Sequence, residues 1–560
     1  MNGEALEARL AQARAWLRQD PDAETRDELA GLVTRAASGD AAAANDLDDR
    51  FRTRLAFGTA GLRGALGAGS NRMNRVLIAQ AAAGFAAYLH RRTPGRTPTV
   101  VIGYDGRRNS RRFALDSAEL FAGAGLRAIL LPRLLPTPVL AFAVRHLEAD
   151  AGVMVTASHN PPNDNGYKVY LGGADAGAQI VSPADAEIAA HIERVADAEQ
   201  VGSLPRSGDY EISDESVVDA YVAATAAVAP APESARGLTW VYTAMHGVGW
   251  ETFARILDAA GYPRPKTVGE QLDPDPTFRT VAFPNPEEPG AMDLAFAAGR
   301  RTRADFIIAN DPDADRLAVA IPDESVKGGW RRLSGNEIGL LLGARAARAA
   351  EGTAGASLAC SLVSSPGLGA IASHHGLDFH ETLTGFKWIS RAPGIVFGFE
   401  EALGYLVNPE IVRDKDGISA AIAVLGLAAE ARERDETIAS LLADLGETYG
   451  HFASGQVSIR VEDLEIIDKV MLSLRTLPPT RIGETAVAES EDLLRAGHGQ
   501  PSGDVLRYRL TDDSRVIVRP SGTEPKLKVY LDAQAPSAHE AAGIVTELET
   551  GVRALLEERS

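Results

Sequence analysis

The chain has 560 residues and a formal charge of −19, from 57 Lys and Arg against 76 Asp and Glu. That balance argues against a nucleic-acid partner, which needs clustered cations, and leaves small anionic ligands open, since a few placed cations and backbone amides bind those. A composition of 45% hydrophobic and 24% charged residues excludes wholesale disorder, and the length suggests three or four domains.

The first fifty residues are rich in Ala, Leu, Glu and Arg, with apolar positions at helical spacing, and predict helices. The opening MNGEALEARLAQARAWLRQD is charged and lacks the apolar centre of a signal peptide. No uncharged apolar run is long enough to span a bilayer, so a cytoplasmic chain with no membrane partner is expected. Cys360 stands alone, which excludes an intrachain disulfide and a structural zinc site of cysteines. It closes the apolar stretch SLAC and reads as a buried thiol.

Three stretches then share one plan of strand, polar loop, helix and glycine stop: 99–125, 238–261 and 356–376. Their spacing is too long for a solenoid and suggests three α/β domains of one type. AGVMVTA (151–157) and DFIIAN (305–310) add uninterrupted apolar strands, as a sheet covered on both faces requires. Residues 225–237, rich in Ala and Pro, read as a linker. The last hundred residues hold the strands VSIRV, VLRYRL, SRVIVRP and LKVYL and a closing helix, which predicts a smaller α+β domain.

Four polar motifs follow apolar strands or lie near them. In TASHNPPNDNGYK (156–168), Ser158 sits beside His159 on a proline-stiffened turn, and Lys168 follows an Asn-Gly turn. An exposed serine there, activated by a neighbouring base, suits a nucleophile or phosphoryl carrier; a plain polar turn is the alternative. In NDPDADR (310–316), Asp311, Asp313 and Asp315 alternate at a strand's carboxyl end, where α/β folds place sites. Converging carboxylates need a cation and suit Mg²⁺ or Ca²⁺; a solvated acidic turn is the alternative. An EF-hand beginning at Asp311 fails, since Arg316 and Pro322 stand where glycine and glutamate are needed, and no GxxxxGK[ST] loop occurs. HGVGWET (246–252) lacks the third glycine of a dinucleotide site and reads as a tight turn. In GFEEALG (398–404), Glu400 and Glu401 are candidates for sugar hydroxyls, and in VRDKDG (412–417) Lys415 is a candidate for a phosphate; a helix start and a charged turn are the alternatives. In RPSGTEPK (519–526), Arg519, Ser521, Thr523 and Lys526 offer donors and Gly522 frees the backbone, which suits a phosphate clamp.

In order, FGTAGLRG (57–64), TASHNPP, DPDADR, GFEEALG and RPSGTEP resemble the α-D-phosphohexomutase superfamily, which includes phosphoglucomutases and phosphomannomutases. TLTGFKWI (382–389) and FPNPEEPGA (283–291) look like its branch containing phosphopentomutase-capable enzymes. The resemblance implies three α/β domains and a smaller C-terminal α+β domain around a central cleft, placed at 1–210, 211–323, 324–450 and 451–560. It implies a phosphoserine at Ser158 and Mg²⁺ on Asp311, Asp313, Asp315 and a phosphoryl oxygen of Ser158. Arg63 and Lys168 fall beside the reacting phosphoryl; Arg316, Thr384, Gly385, Lys387, Glu400 and Lys415 fall in ligand-contacting motifs; Arg519, Ser521, Gly522 and Thr523 match the distal phosphate clamp. Ala402 departs from the family, where a serine often helps hold the sugar.

The expected reaction moves a phosphoryl group between the 1- and 6-hydroxyls of a hexose phosphate through a bisphosphorylated intermediate, with glucose 1,6-bisphosphate as activator. Lys168, with a lowered pKa, or else His159, is the expected base. Glucose ranks first, then mannose, pentose and amino sugars. A metal-dependent sugar phosphatase and a non-catalytic sugar-phosphate sensor are the rivals. No coiled-coil heptads mark an oligomer.

Overall fold

The computed structural model of the chain describes residues 3–198, 200–461, 464–495, 503–521 and 526–559. These form two compact units: residues up to Arg332 together with Asn408–Ala429, and Leu333–Val407 together with Glu430 onward.

The first unit opens with three helices, Gly3–Gln19, Ala23–Ala37 and Ala41–Phe51. Asp22 and Asp40 accept the free backbone N–H groups that begin the second and third. Their apolar stripes bury Leu10, Trp16, Leu29, Leu32, Leu47 and Phe51, and Trp16 meets Phe51 edge-on at 5.8 Å.

The first sheet runs Leu62–Ala65, Asp164–Leu171, Ala151–Val155, Thr99–Tyr104, Arg127–Leu130 and Glu211–Ile212, with Ala178–Gln179 pairing beside Asp164–Leu171. Thr99–Tyr104 is parallel to both of its neighbours, while Asp164–Leu171 and Leu62–Ala65 pair antiparallel. Ala151–Val155 is buried along its whole length, as its apolar run predicts. The second sheet runs Trp330–Arg332, Leu317–Pro322, Phe306–Asn310, Trp240–Thr243 and Lys266–Thr267. Phe306–Asn310 lies parallel to Trp240–Thr243, so the acidic motif leaves the carboxyl edge of a buried strand.

In the second unit, the third sheet runs Asp378–Thr382, Ser357–Ser361, Ile395–Glu400 and Gly404–Leu406. The fourth is wholly antiparallel: His451–Arg460, Lys526–Ala535, Arg515–Pro520, Leu506–Leu510, Thr485–Asp492 and Arg481–Ile482. The closing helix Ala538–Arg559 buries Ala541, Val545, Leu548, Val552 and Leu556. The architecture is therefore three α/β domains followed by a C-terminal α+β domain.

The sequence boundaries differ from the pairing at three places. Glu211–Ile212 joins the first sheet and Trp330–Arg332 the second, so both sheets continue past 210 and 323. Asn408–Ala429, inside 324–450, packs in the first unit. Gly417 is the reason at close range: a Cβ there would lie 2.2 Å from the Arg316 carbonyl oxygen. The expected linker 225–237 is not free chain. It begins with the end of the helix Ser216–Ala226, buries Ala229 and Ala235, and donates from Ala231 N to Ala260 O; its alanines are small enough to pack against the domain.

Candidate active site

Ala151–Val155 delivers the serine loop. Ser158 has a left-handed backbone at φ +51°, which costs a non-glycine residue about 1 kcal/mol. Hydrogen bonds hold it there. Its N–H donates to Thr156 Oγ1 at 2.9 Å. Arg107 donates from Nη2 to the carbonyls of Ser158 and Asn160, each at 2.6 Å, and from Nη1 to Pro161 at 2.8 Å. Arg107 is itself buried, packed over the Phe278 ring. Sequence reasoning missed it; its signal was a doubled arginine in the polar loop YDGRRNS after a strand. Ser158 was expected to be exposed, yet it is 1% accessible. The loop turns its hydroxyl inward: Oγ donates to Asp311 Oδ2 at 2.8 Å and lies 3.3 Å from His159 Nδ1.

Asp311, Asp313 and Asp315 are fully buried and present oxygens within 4.8 Å of one another. Such packing of like charge is unfavourable by roughly 4 kcal/mol per close pair at an effective dielectric of about 20, so cations are required. Lys168 Nζ lies 2.7 Å from both Asp313 Oδ2 and Asp315 Oδ2. Lys415 Nζ lies 3.0 Å from Asp315 Oδ2, and Arg316 Nε lies 3.8 Å from Asp315 and 4.0 Å from Asp311. Thr137, also missed from sequence, donates Oγ1 to Asp313 Oδ2 at 2.6 Å and N–H to the Asp313 carbonyl. Arg63, on Leu62–Ala65, reaches Asn160 Oδ1 at 3.3 Å. Ser158, His159, Arg63, Lys168, the three aspartates, Arg316 and Lys415 are thus one cluster within the first unit.

Two features of this cluster differ from expectation. Burial alone would lower the Lys168 pKa, but Asp313 and Asp315 outweigh it and hold the ammonium above its ordinary value. His159 is the group driven down, well below its usual value, by burial and then by Arg316 and Arg63. Lys415, expected on a phosphate, is ion-paired to Asp315. Its neighbours anchor it there: Asp414 accepts from Tyr170 and Gln179, and Asp416 accepts from Tyr221 and caps the helix Gly417–Arg432.

The carboxylates remain unequal. Burial and its two acidic neighbours push Asp311 well above the carboxylate range. Asp313 and Asp315 are buried too, but Lys168, joined at Asp315 by Lys415 and Arg316, holds both below it. Asp313 Oδ1 and Asp315 Oδ1 are buried with no hydrogen-bond partner among the described residues. Orphaned carboxylate oxygens beside a serine hydroxyl are a hard-oxygen donor set that fits a divalent cation such as Mg²⁺.

The second unit holds the remaining candidates. Ile395–Glu400 pairs with Gly404–Leu406, so GFEEALG is strand and tight turn, not a helix start. Glu400 Oε1 accepts the Gly385 N–H at 3.0 Å, tying the Thr384–Gly385 loop to the strand. Lys387 lies on the adjoining short helix Phe386–Ile389. Glu401 points elsewhere: Oε2 accepts from Ser361 Oγ at 3.2 Å and Ser364 Oγ at 3.1 Å. Burial, then Glu400, pushes its pKa up to about 7, and the Arg519 charge partly opposes this. Arg519 is the penultimate residue of Arg515–Pro520, and Ser521 N–H donates to Lys526 O at 2.8 Å. Gly522 and Thr523 lie outside the described residues.

Comparison with known proteins agrees with this geometry. Residues 54–199, 219–325 and 334–449 match phosphoglucomutase/phosphomannomutase alpha/beta/alpha domains I, II and III, and residues 480–550 match the C-terminal domain. The chain is 52% identical to the Haemophilus influenzae protein named "Probable phosphomannomutase", over 86% of this chain and 98% of that one. It is 35% identical to the Homo sapiens phosphopentomutase, over 96% and 93%. A phosphoglucomutase/phosphomannomutase family protein of Burkholderia thailandensis shares the fold at a TM-score of 0.68 and 21% identity, over 90% of this chain and 98% of that one. The chain belongs to the phosphoglucomutase/phosphomannomutase family. It is an isomerase of the phosphosugar-mutase type.

Proposed function

We propose that this mutase interconverts hexose 1-phosphate and hexose 6-phosphate through a phosphorylated Ser158 and a bisphosphorylated sugar, with glucose 1,6-bisphosphate as activator. Glucose 1-phosphate is the substrate placed first; mannose 1-phosphate, named by the Haemophilus relative, is its direct rival. The observation that supports the chemistry is the Ser158 hydroxyl, 2.8 Å from Asp311, beside two orphaned carboxylate oxygens.

In this reading Asp311, Asp313, Asp315 and Ser158 would hold Mg²⁺, and the chemistry it would supply there is withdrawal of charge from the phosphoryl group. Arg63 and Lys168, both charged, stabilise the oxygens on which charge develops. The attacking sugar hydroxyl must lose a proton. His159, proton-free beside Ser158, is assigned as acceptor, and Lys168 keeps its proton as an electrostatic donor. Glu400 holds sugar hydroxyls while the Arg519–Thr523 loop holds the phosphate not in transfer, and the intermediate reverses before returning its other phosphate to Ser158. A cytoplasmic setting suits such soluble substrates.

A pentose reading is supported by the 35% identity to a phosphopentomutase over most of both chains and by the resemblance of TLTGFKWI and FPNPEEPGA to that branch. The test is a coupled assay with Mg²⁺ and trace glucose 1,6-bisphosphate on glucose, mannose and ribose 1-phosphates, following inorganic phosphate in parallel. Fast isomer formation from a hexose without phosphate release is expected. Stoichiometric phosphate release would make the protein a phosphatase, and turnover of ribose 1-phosphate alone would make it a pentomutase. Ser158→Ala is expected to lower turnover by roughly 10⁴-fold or more; full activity would end the carrier role.

A further inference from the structure

The three N-terminal helices precede residue 54, where the family's first domain begins. Several of their contacts fall on the loop 66–73 that continues from the strand carrying Arg63, while others reach Arg75 and Arg108. Glu28 Oε2 accepts the Ala68 N–H at 3.1 Å. Arg50 donates Nη1 to the Ala68 carbonyl at 3.2 Å and pairs through Nη2 with Glu28 at 2.8 Å. The Arg50 carbonyl accepts the Asn71 N–H at 3.0 Å, and the Asp49 carbonyl accepts Asn71 Nδ2 at 2.9 Å. Ser70 donates Oγ to the Thr53 carbonyl at 2.8 Å. Gly69, at φ +116°, is pressed so close that a Cβ would sit 2.8 Å from the Arg50 carbonyl oxygen.

The loop is also joined to the serine loop. Leu66 N–H donates to the Asn163 carbonyl at 2.8 Å, at the end of the serine loop. Leu62–Ala65 pairs residue for residue with 164–167, immediately before Lys168, and Arg63 itself reaches Asn160. The Arg50 side chain, 13% accessible, already has three acceptors: Asp46, Glu28 and Ala68 O. That many fixed partners makes it a rigid strut.

We infer that Arg50 and Glu28, outside the four family domains, are positioning residues for phosphoryl transfer: they fix the loop 66–73 and through it the placement of Arg63 against the serine loop. This rests on the role given to Arg63 above. Removing the strut leaves the Ala68 N–H and carbonyl of this loop without these partners and lets the Arg63 strand shift, and small misplacements at a transfer site are costly in rate.

The experiment compares Arg50→Ala in the wild-type and Arg63→Lys backgrounds, with kcat per folded molecule, KM and hydrogen exchange of peptides spanning 62–73 and 156–163. Expected are an about tenfold lower kcat, an about unchanged KM and faster exchange in both peptides, with the kcat effect shrinking to about twofold or less in the Arg63→Lys background, as coupled residues behave. An unchanged kcat, or an equal loss in both backgrounds, would show the helices to be merely structural. Loss of activity by Arg63→Lys with none by Arg50→Ala would overturn the strut alone; wild-type activity of Arg63→Lys would remove the role of Arg63 and the strut with it. If Arg50→Ala fails to fold, Glu28→Gln carries the same comparison with an about threefold effect expected.

Discussion

The two units each hold a group of carboxylates, fully buried in the first and partly buried in the second, and they neutralise it in opposite ways. Around Asp311, Asp313 and Asp315 stand Lys168, Lys415 and Arg316, and two of the three aspartates are held below the carboxylate range. Around Glu401 stand the hydroxyls of Ser361 and Ser364, with Arg519 as the opposing charge, and its pKa rises to about 7. An acid with cations in contact is held charged; one whose burial and acidic neighbour outweigh its hydroxyl donors and the Arg519 charge is pushed toward the protonated form. The second glutamate of GFEEALG is therefore an anchor for the turn, while Glu400 is tied to the Gly385 N–H.

Substitutions break this contrast in graded fashion. Asp313→Asn removes a charge from the cation-bound cluster and is expected to lower kcat roughly 100-fold, partly restored by raised Mg²⁺; a metal titration of turnover checks it. Glu400→Gln is expected to raise KM for the sugar phosphate about tenfold while leaving kcat within about threefold, the pattern of lost uniform binding. Glu401→Gln acts on stability. Its folded pKa of about 7 lies above the ordinary 4.5, so its contribution is full below pH 4.5 and is lost as pH rises through 7. The glutamine variant is expected to match the wild type near pH 4.5 and to gain about 2 kcal/mol above pH 8, after allowing for partial solvent access; denaturant unfolding across that range measures it.

The alternating aspartates were legible because three acids at strand-end spacing have few other uses, and the apolar strands on either side fix where the loop emerges. The fold class was legible from the three repeated strand–loop–helix stretches. Arg107 was not, because the carbonyls it holds lie more than fifty residues away in the chain. Lys415 was read as a candidate for a phosphate; its pairing with Asp315 was not legible, since it depends on packing by Asp414, Asp416 and Gly417 that no local pattern announces. The strand Thr485–Asp492 escaped notice because its acidic second half lacks apolar alternation. The direction of the Lys168 shift needed the two carboxylates at 2.7 Å, which only the assembled loops provide.

The return of Asn408–Ala429 to the first unit has a consequence for biosynthesis. On the ribosome, Asp315 emerges a hundred residues ahead of Lys415, the cation that will sit 3.0 Å from it. Until residues 414–416 are made, Tyr170 and Tyr221 lack their acceptors Asp414 and Asp416, and the acidic loop lacks one of its counter-charges. The first unit thus cannot finish until Leu333–Val407 of the second has been made: its last piece is encoded inside its neighbour, so a nascent chain halted at Arg332 carries the whole acidic motif and serine loop without the lysine that completes their charge.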